Sequence, residues 1–180
     1  AWLAERLGTT SELPVLGTLF FAALIVEPVV LIGGAAYGTK RAAGASHRLL
    51  EVVTRFAYAL IPIGFGIWLS HYSFHLLTGV WTVVPVIQQT LLDLGVGFLG
   101  APAWQLTGLP QEYVLPLELG FLGLGTVGSL LASYRIAERE YPEHAAAAFL
   151  PWGILCVMLF AAAVWLLNQP MEMRGTFLGA

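Results

Sequence analysis

His71 and His75 lie four residues apart in the run WLSHYSFHLLTG, Trp68 to Gly79, inside one of the most apolar stretches of the chain. At about 100° per residue, two helical positions four apart project within roughly 40° of each other, one turn apart. Two imidazoles so placed can bind one transition-metal ion together. They do not suit the two axial positions of one haem, which are approached from opposite faces of the porphyrin and so take ligands from different helices. A haem here would use one of the pair and a second ligand from elsewhere. The carboxylates that share these apolar surroundings are Glu118 and Glu27, and the run NQPMEM offers thioethers at Met171 and Met173, whose soft sulfur suits Cu(I).

Composition defines the elements that must position these groups. Of 180 residues, 58% are hydrophobic and 11% charged, with mean hydropathy +0.78, whereas a soluble domain carries about a quarter charged residues. The chain reads as an integral membrane protein whose main partner is the lipid bilayer. Four segments match the roughly 20 helical residues that cross the hydrocarbon. They run about Val15 to Gly38, Leu49 to Gly79, Glu112 to Tyr134 and Ala145 to Asn168. Unbroken hydrophobicity over such lengths predicts helices rather than the short alternating strands of a barrel. The expected fold is therefore all-α: a single transmembrane domain over residues 1–180, built as a four-helix bundle. Between the second and third spans, Val80 to Gln111 is expected to form an interfacial amphipathic helix followed by a Gly/Pro-rich turn region. Pro62, with Gly64 and Gly66, should bend the second span just before the histidine pair. In the third span Gly120, Gly125, Ser129 and Ser133, with Gly128 and Ala132 nearby, form a small-residue pattern suited to close helix packing. The chain begins at Ala1 rather than Met, which leaves open a removed start methionine, a signal segment or a longer N-terminal region.

Charge sets the orientation. Of the eight Lys and Arg, Lys40, Arg41, Arg48, Arg55, Arg135 and Arg139 flank the two short hairpins, leaving Arg6 and Arg174 for the other side. The positive-inside rule puts the hairpins in the cytoplasm and both termini outside, in the periplasm for an inner-membrane protein. His71 and His75 then fall in the outer third of their span, Glu118 enters at a comparable level, and Glu27 sits deeper. Met171 and Met173 would fold over the mouth. His47 and His144 fall at the cytoplasmic ends, a membrane thickness away. The expected site is an outward polar pocket of His71, His75 and Glu118 with Glu27 below. Intramembrane ionisable groups cost several kcal/mol unless paired or hydrated. Plain alternatives stand beside it. The histidines can bond a carbonyl or a lipid headgroup, Glu118 loop amides or Tyr113, and Glu27 the backbone freed by Pro28. The methionines can pack at the interface, Cys156 can fill core, and the tryptophans can form an interfacial belt.

The run RFAYALIPIGFGIWLSHYSFH, Arg55 to His75, resembles a segment of membrane-bound polyferredoxin-type proteins of nitrate and nitrous oxide respiration, through Tyr58, Ala59, Leu60, Pro62, His71 and His75. The resemblance covers about one helix and implies electron transfer or metal handling at a membrane. The chain lacks that family's cysteine clusters. Its single Cys156 excludes an iron–sulfur cluster held by this chain alone, an internal disulfide and a c-type haem attachment. Electron carriage would then need a haem here, or clusters on another subunit or a further part of the protein.

There is no basic tract for nucleic acid, no phosphate loop, no nucleophile elbow and no HExxH, so no catalytic residue is assigned. Three readings follow. The first is a small, non-catalytic subunit or anchor of a respiratory membrane oxidoreductase, packed against other membrane subunits and holding haem b, copper or a quinone near the outer face. The second is a membrane protein that handles copper or another transition metal. The third is a purely structural assembly subunit.

Overall fold

The computed structural model describes residues 6, 8, 12–44, 47–106 and 108–169, and among them every regular element is helical. The elements are α1 (Glu12–Phe21), a π-helical turn (Ala22–Val26), α2 (Glu27–Ala42), α3 (Leu49–Ala57), a 3₁₀ turn (Tyr58–Leu60), α4 (Ile61–Gly79), a 3₁₀ turn (Val80–Thr82), α5 (Val83–Asp93), α6 (Gln111–Glu140), a 3₁₀ turn (Pro142–His144) and α7 (Ala145–Leu167). Four continuous helical stretches are long and apolar enough to cross a membrane: Leu13–Ala42, Leu49–Asp93, Glu112–Glu140 and Pro142–Leu167. They contain the first three expected spans, and the fourth to within one residue. The helices outrun the apolar segments, because RIAERE at the end of α6 is rich in helix formers while being polar. Hydropathy marks where apolar character stops; backbone propensity marks where the helix stops.

Two prolines within the first two long apolar stretches leave a signature in the backbone. Pro28 cannot donate to the carbonyl four residues back, and the helix widens into the π turn immediately before it, where the Glu27 amide bonds Ala22 O. Pro62 follows the 3₁₀ turn at Tyr58–Leu60. The next amide, Ile63 N, donates to Ser129 Oγ of α6 at 2.9 Å, so a neighbouring hydroxyl satisfies backbone that the proline has loosened. Where the sequence predicts a bend, the backbone around Pro62 shows a 3₁₀ turn and an amide bonded to a side chain of α6.

The chain divides into two compact units, residues 1–60 with 130–156, and residues 61–129 with 157–180. In the first, Phe56, Val52, Trp152 and Ala148 are buried. Phe56 stacks on Trp152 with ring centroids 5.0 Å apart and planes 8° from parallel. Pro151 lies against Gly38, where a Cβ would come 3.0 Å from Pro151 Cγ. α2 ends at Ala42 and is followed by Gly44, whose φ of +62° lies in the left-handed region that favours glycine after a helix. α3 begins with the Glu51 carboxylate accepting the Arg48 amide at 3.2 Å.

In the second unit the backbones of α4 and α6 touch. A Cβ added at Gly66 would lie 2.9 Å from Phe121 O, and one at Gly125 would lie 2.6 Å from Pro62 O. Gly128 packs on the Pro62 ring. Of the small residues expected to allow close packing, Gly125, Gly128 and Ser129 make the α4 contact, whereas Gly120 faces open space. α5 ends in a Schellman motif: Val96 N bonds Leu91 O at 2.8 Å and Gly95 N bonds Leu92 O at 2.9 Å, with Gly95 at φ +78°. Gln88 pins the following loop, donating to Leu99 O at 3.0 Å and accepting from Ala103 N at 2.9 Å. The loop returns to α4 where Leu109 N donates to Leu77 O at 2.8 Å. Val80 to Gln111 is therefore a short helix, continuous with α4 through the Val80–Thr82 turn, followed by a Gly/Pro-rich turn region.

Candidate functional site

α4 carries its rings in a connected row. Phe65 meets Trp68 at 5.8 Å, Trp68 meets Tyr72 at 4.8 Å, Tyr72 meets His71 at 5.3 Å and His71 meets His75 at 5.4 Å, all between ring centroids. Three of the four links join rings three or four residues apart along one helix, and the fourth is an edge contact between the sequence neighbours His71 and Tyr72. All five rings are exposed. The two imidazoles stand nearly perpendicular, 79° between planes, and neither forms a hydrogen bond or ion pair with another described residue. Their i,i+4 placement on a continuous helix is the one the sequence predicts.

The other expected members are distributed differently. Glu118 is 3% exposed, and its Oε1 has no hydrogen-bond partner among the described residues. Its backbone carbonyl lies 2.7 Å from Ser70 Oγ, whose one proton it shares with Gly66 O at 2.8 Å. Glu27 follows the π turn, is exposed, and its carboxylate has no partner among the described residues. Met171 and Met173 lie outside the described residues. Among the described residues, no three His, Cys, Asp or Glu side chains come together as a metal-ion site. The chemistry visible on α4 is thus a pair of imidazole ligands open to the surroundings, with a buried carboxyl on α6 of the same unit.

Sequence reasoning did not single out a second cluster, in the first unit. Arg55 of α3 pairs with Glu140 of α6, and the same Nη1 lies 3.3 Å from His47 Nε2. Lys40 Nζ donates to His47 O at 3.1 Å. The His47 ring sits edge-on to Tyr141 at 5.8 Å, and Tyr141 stacks over Phe56 at 6.5 Å. Tyr141 is 8% exposed, and both its hydroxyl and His47 Nδ1 are buried without a partner among the described residues. Burial pushes the Tyr141 phenol up. Arg55 opposes that, while Glu140 and Glu51 reinforce it. The only sequence signals were Arg55 within the apolar run that opens the second span and a tyrosine directly before Pro142; neither carries spacing that links it to His47.

No protein-family model, curated protein or solved structure matches this chain. The functional reading accordingly rests on the geometry of the two units.

Proposed function

We propose that the chain is an integral membrane protein acting as a small, non-catalytic subunit of a membrane electron-transfer complex, with the His71–His75 face of α4 turned to a cofactor or metal held against a partner subunit. The observation that carries this reading is the pair of touching, exposed imidazoles on an apolar span, neither hydrogen-bonded to another described residue. Ring nitrogens left in hydrocarbon lose their hydrogen bonds to water, so a span that displays two of them is stabilised by a ligand or partner that supplies replacements. Two histidines fill two adjacent positions of a transition-metal ion, or one axial position of a haem, and in either case further ligands come from beyond the pair. The Lys40 to Arg55 and Arg135 to Arg139 ends face the cytoplasm of an inner-membrane protein, and both termini lie on the periplasmic side.

A second reading, transition-metal handling, is favoured by the same spacing, since both rings can reach one ion. Purification in mild detergent followed by native mass spectrometry, absorption spectroscopy and elemental analysis tests both. A co-purifying subunit and a Soret band, both lost in His71→Ala/His75→Ala, support the redox subunit. Stoichiometric copper or zinc without a second subunit supports the metal reading. A solitary chain with neither band nor metal overturns both.

A further inference from the structure

We propose that Glu118 is a proton-binding site of the second unit: its carboxyl carries an exchangeable proton at neutral pH and gives it up only when water or a cation gains entry. Its position follows from where α6 touches α4. Phe121 O and the Cα atoms of Leu122 and Gly125 lie against Gly66, and the Glu118 carbonyl lies 2.7 Å from Ser70 Oγ. Glu118 precedes Phe121, Leu122 and Gly125 by three, four and seven residues, so helical spacing sets it on that same contact face. It is 3% exposed, buried like Val114 one turn before it and Leu122 one turn after. Oε1 has no hydrogen-bond partner. The nearby hydroxyls of α4 are turned to carbonyls instead: Ser70 Oγ serves Gly66 O and Glu118 O, and Ser73 Oγ donates to Ser70 O at 2.9 Å.

The unit also lacks a counter-charge. Its described residues, 61–129 and 157–169, include no lysine or arginine. The other titratable groups on its elements are His71, Tyr72 and His75 of α4, Asp93 of α5, and Glu112 and Tyr113 at the start of α6, while α7 from Val157 onward has none. All six are exposed, and none hydrogen-bonds or pairs with Glu118 among the described residues. Asp93 and Glu112 would add charge of the same sign. An ionised carboxylate here would lose its hydration and gain no hydrogen bond or cation in return. A metal ion would need several more ligands, and no three His, Cys, Asp or Glu side chains gather among the described residues. A proton needs none, and the neutral acid it makes is the form that the buried contact accommodates. This inference is independent of the role given to His71 and His75.

The test is infrared spectroscopy and carbodiimide mapping of the full chain in nanodiscs at about pH 7, where free carboxyls are ionised. A protonated carboxyl shows a C=O stretch that shifts in heavy water and that a carboxylate lacks. Glu118→Gln should remove an acid band that Glu27→Gln leaves in place. Dicyclohexylcarbodiimide, an apolar reagent, reports on the unmutated chain. It takes the carboxyl proton onto one nitrogen, the carboxylate oxygen adds to its central carbon, and the adduct rearranges to a stable N-acylurea found by peptide mass mapping. Glu118 should be labelled at least about tenfold more than the exposed Glu51 and Glu138. The mapping needs no variant, so it decides the matter should Glu118→Gln fail to fold. An acid band unchanged in a folded Glu118→Gln, or labelling of Glu118 no greater than that of Glu51 and Glu138, would overturn the proton site.

Discussion

Thr39 links α2 to α7 by working in both directions: its Oγ1 accepts the indole N–H of Trp152 at 3.0 Å and donates to Ala148 O at 2.8 Å. Thr39 and Trp152 are fully buried, so neither group can turn to solvent for a replacement. Thr39→Val keeps the shape and removes both bonds, leaving a buried indole donor unsatisfied. A loss of about 1–3 kcal/mol is expected, with Thr39→Ser close to wild type. Thermal unfolding in detergent, followed by helical circular dichroism, checks the order of the three proteins.

The α4–α6 contact gives a prediction with its own controls. Ala at Gly125 or Gly66 would place a methyl against backbone, 2.6 Å from Pro62 O or 2.9 Å from Phe121 O, and backbone cannot rotate aside. Each substitution should destabilise by about 1–3 kcal/mol. Gly64 and Gly123 sit in the same helices with nothing within 4 Å of an added Cβ. Their Ala variants should be neutral or stabilised by up to about 1 kcal/mol through helix propensity. Equal effects at all four positions would mean that propensity rather than contact governs this pair.

Tyr141→Phe should not destabilise the protein at neutral pH, because the hydroxyl it removes is buried without a partner among the described residues. At alkaline pH the two proteins should diverge. Burial holds the folded phenol above its usual range, so the folded state keeps its proton to higher pH than the unfolded state does. The stability tied to this group is complete below the unfolded value of about 10 and falls as pH rises through it toward the folded value. Chemical denaturation at about pH 9 and about pH 11 should show a steeper alkaline loss for the wild type than for Tyr141→Phe.

The four long helices, the short α5 and the Gly/Pro turn region were legible because length, hydropathy and turn residues act locally. The histidine pair was legible for the same reason, since i,i+4 spacing on a helix fixes its own geometry. Exposure was not. Nothing in WLSHYSFHLLTG says whether its imidazole face turns toward α6 or away, because an apolar span has hydrophobic residues all round and no amphipathic stripe to orient it. Glu118 illustrates the reverse: depth could be estimated from the sequence, but not its burial, which it shares with Val114 and Leu122 of α6. The Arg55–Glu140 pair joins residues 85 apart in the chain and had no local signal at all. Small residues were recognisable as packing devices, yet only the fold separates Gly125, pressed on a carbonyl, from Gly120, where an added Cβ would meet open space.

The wide turn at Ala22–Val26 carries a consequence for any reading of the first long helix as a single projected wheel. A turn closed by i→i+5 bonds holds one residue more than its neighbours, so the angular phase slips by about 100° as the chain passes it. Side chains before Ala22 and after Glu27 that share a stripe on a uniform projection belong to different azimuths here. A partner surface mapped along this helix by cysteine scanning would therefore show two out-of-register periodic patterns meeting at the Glu27–Pro28 step.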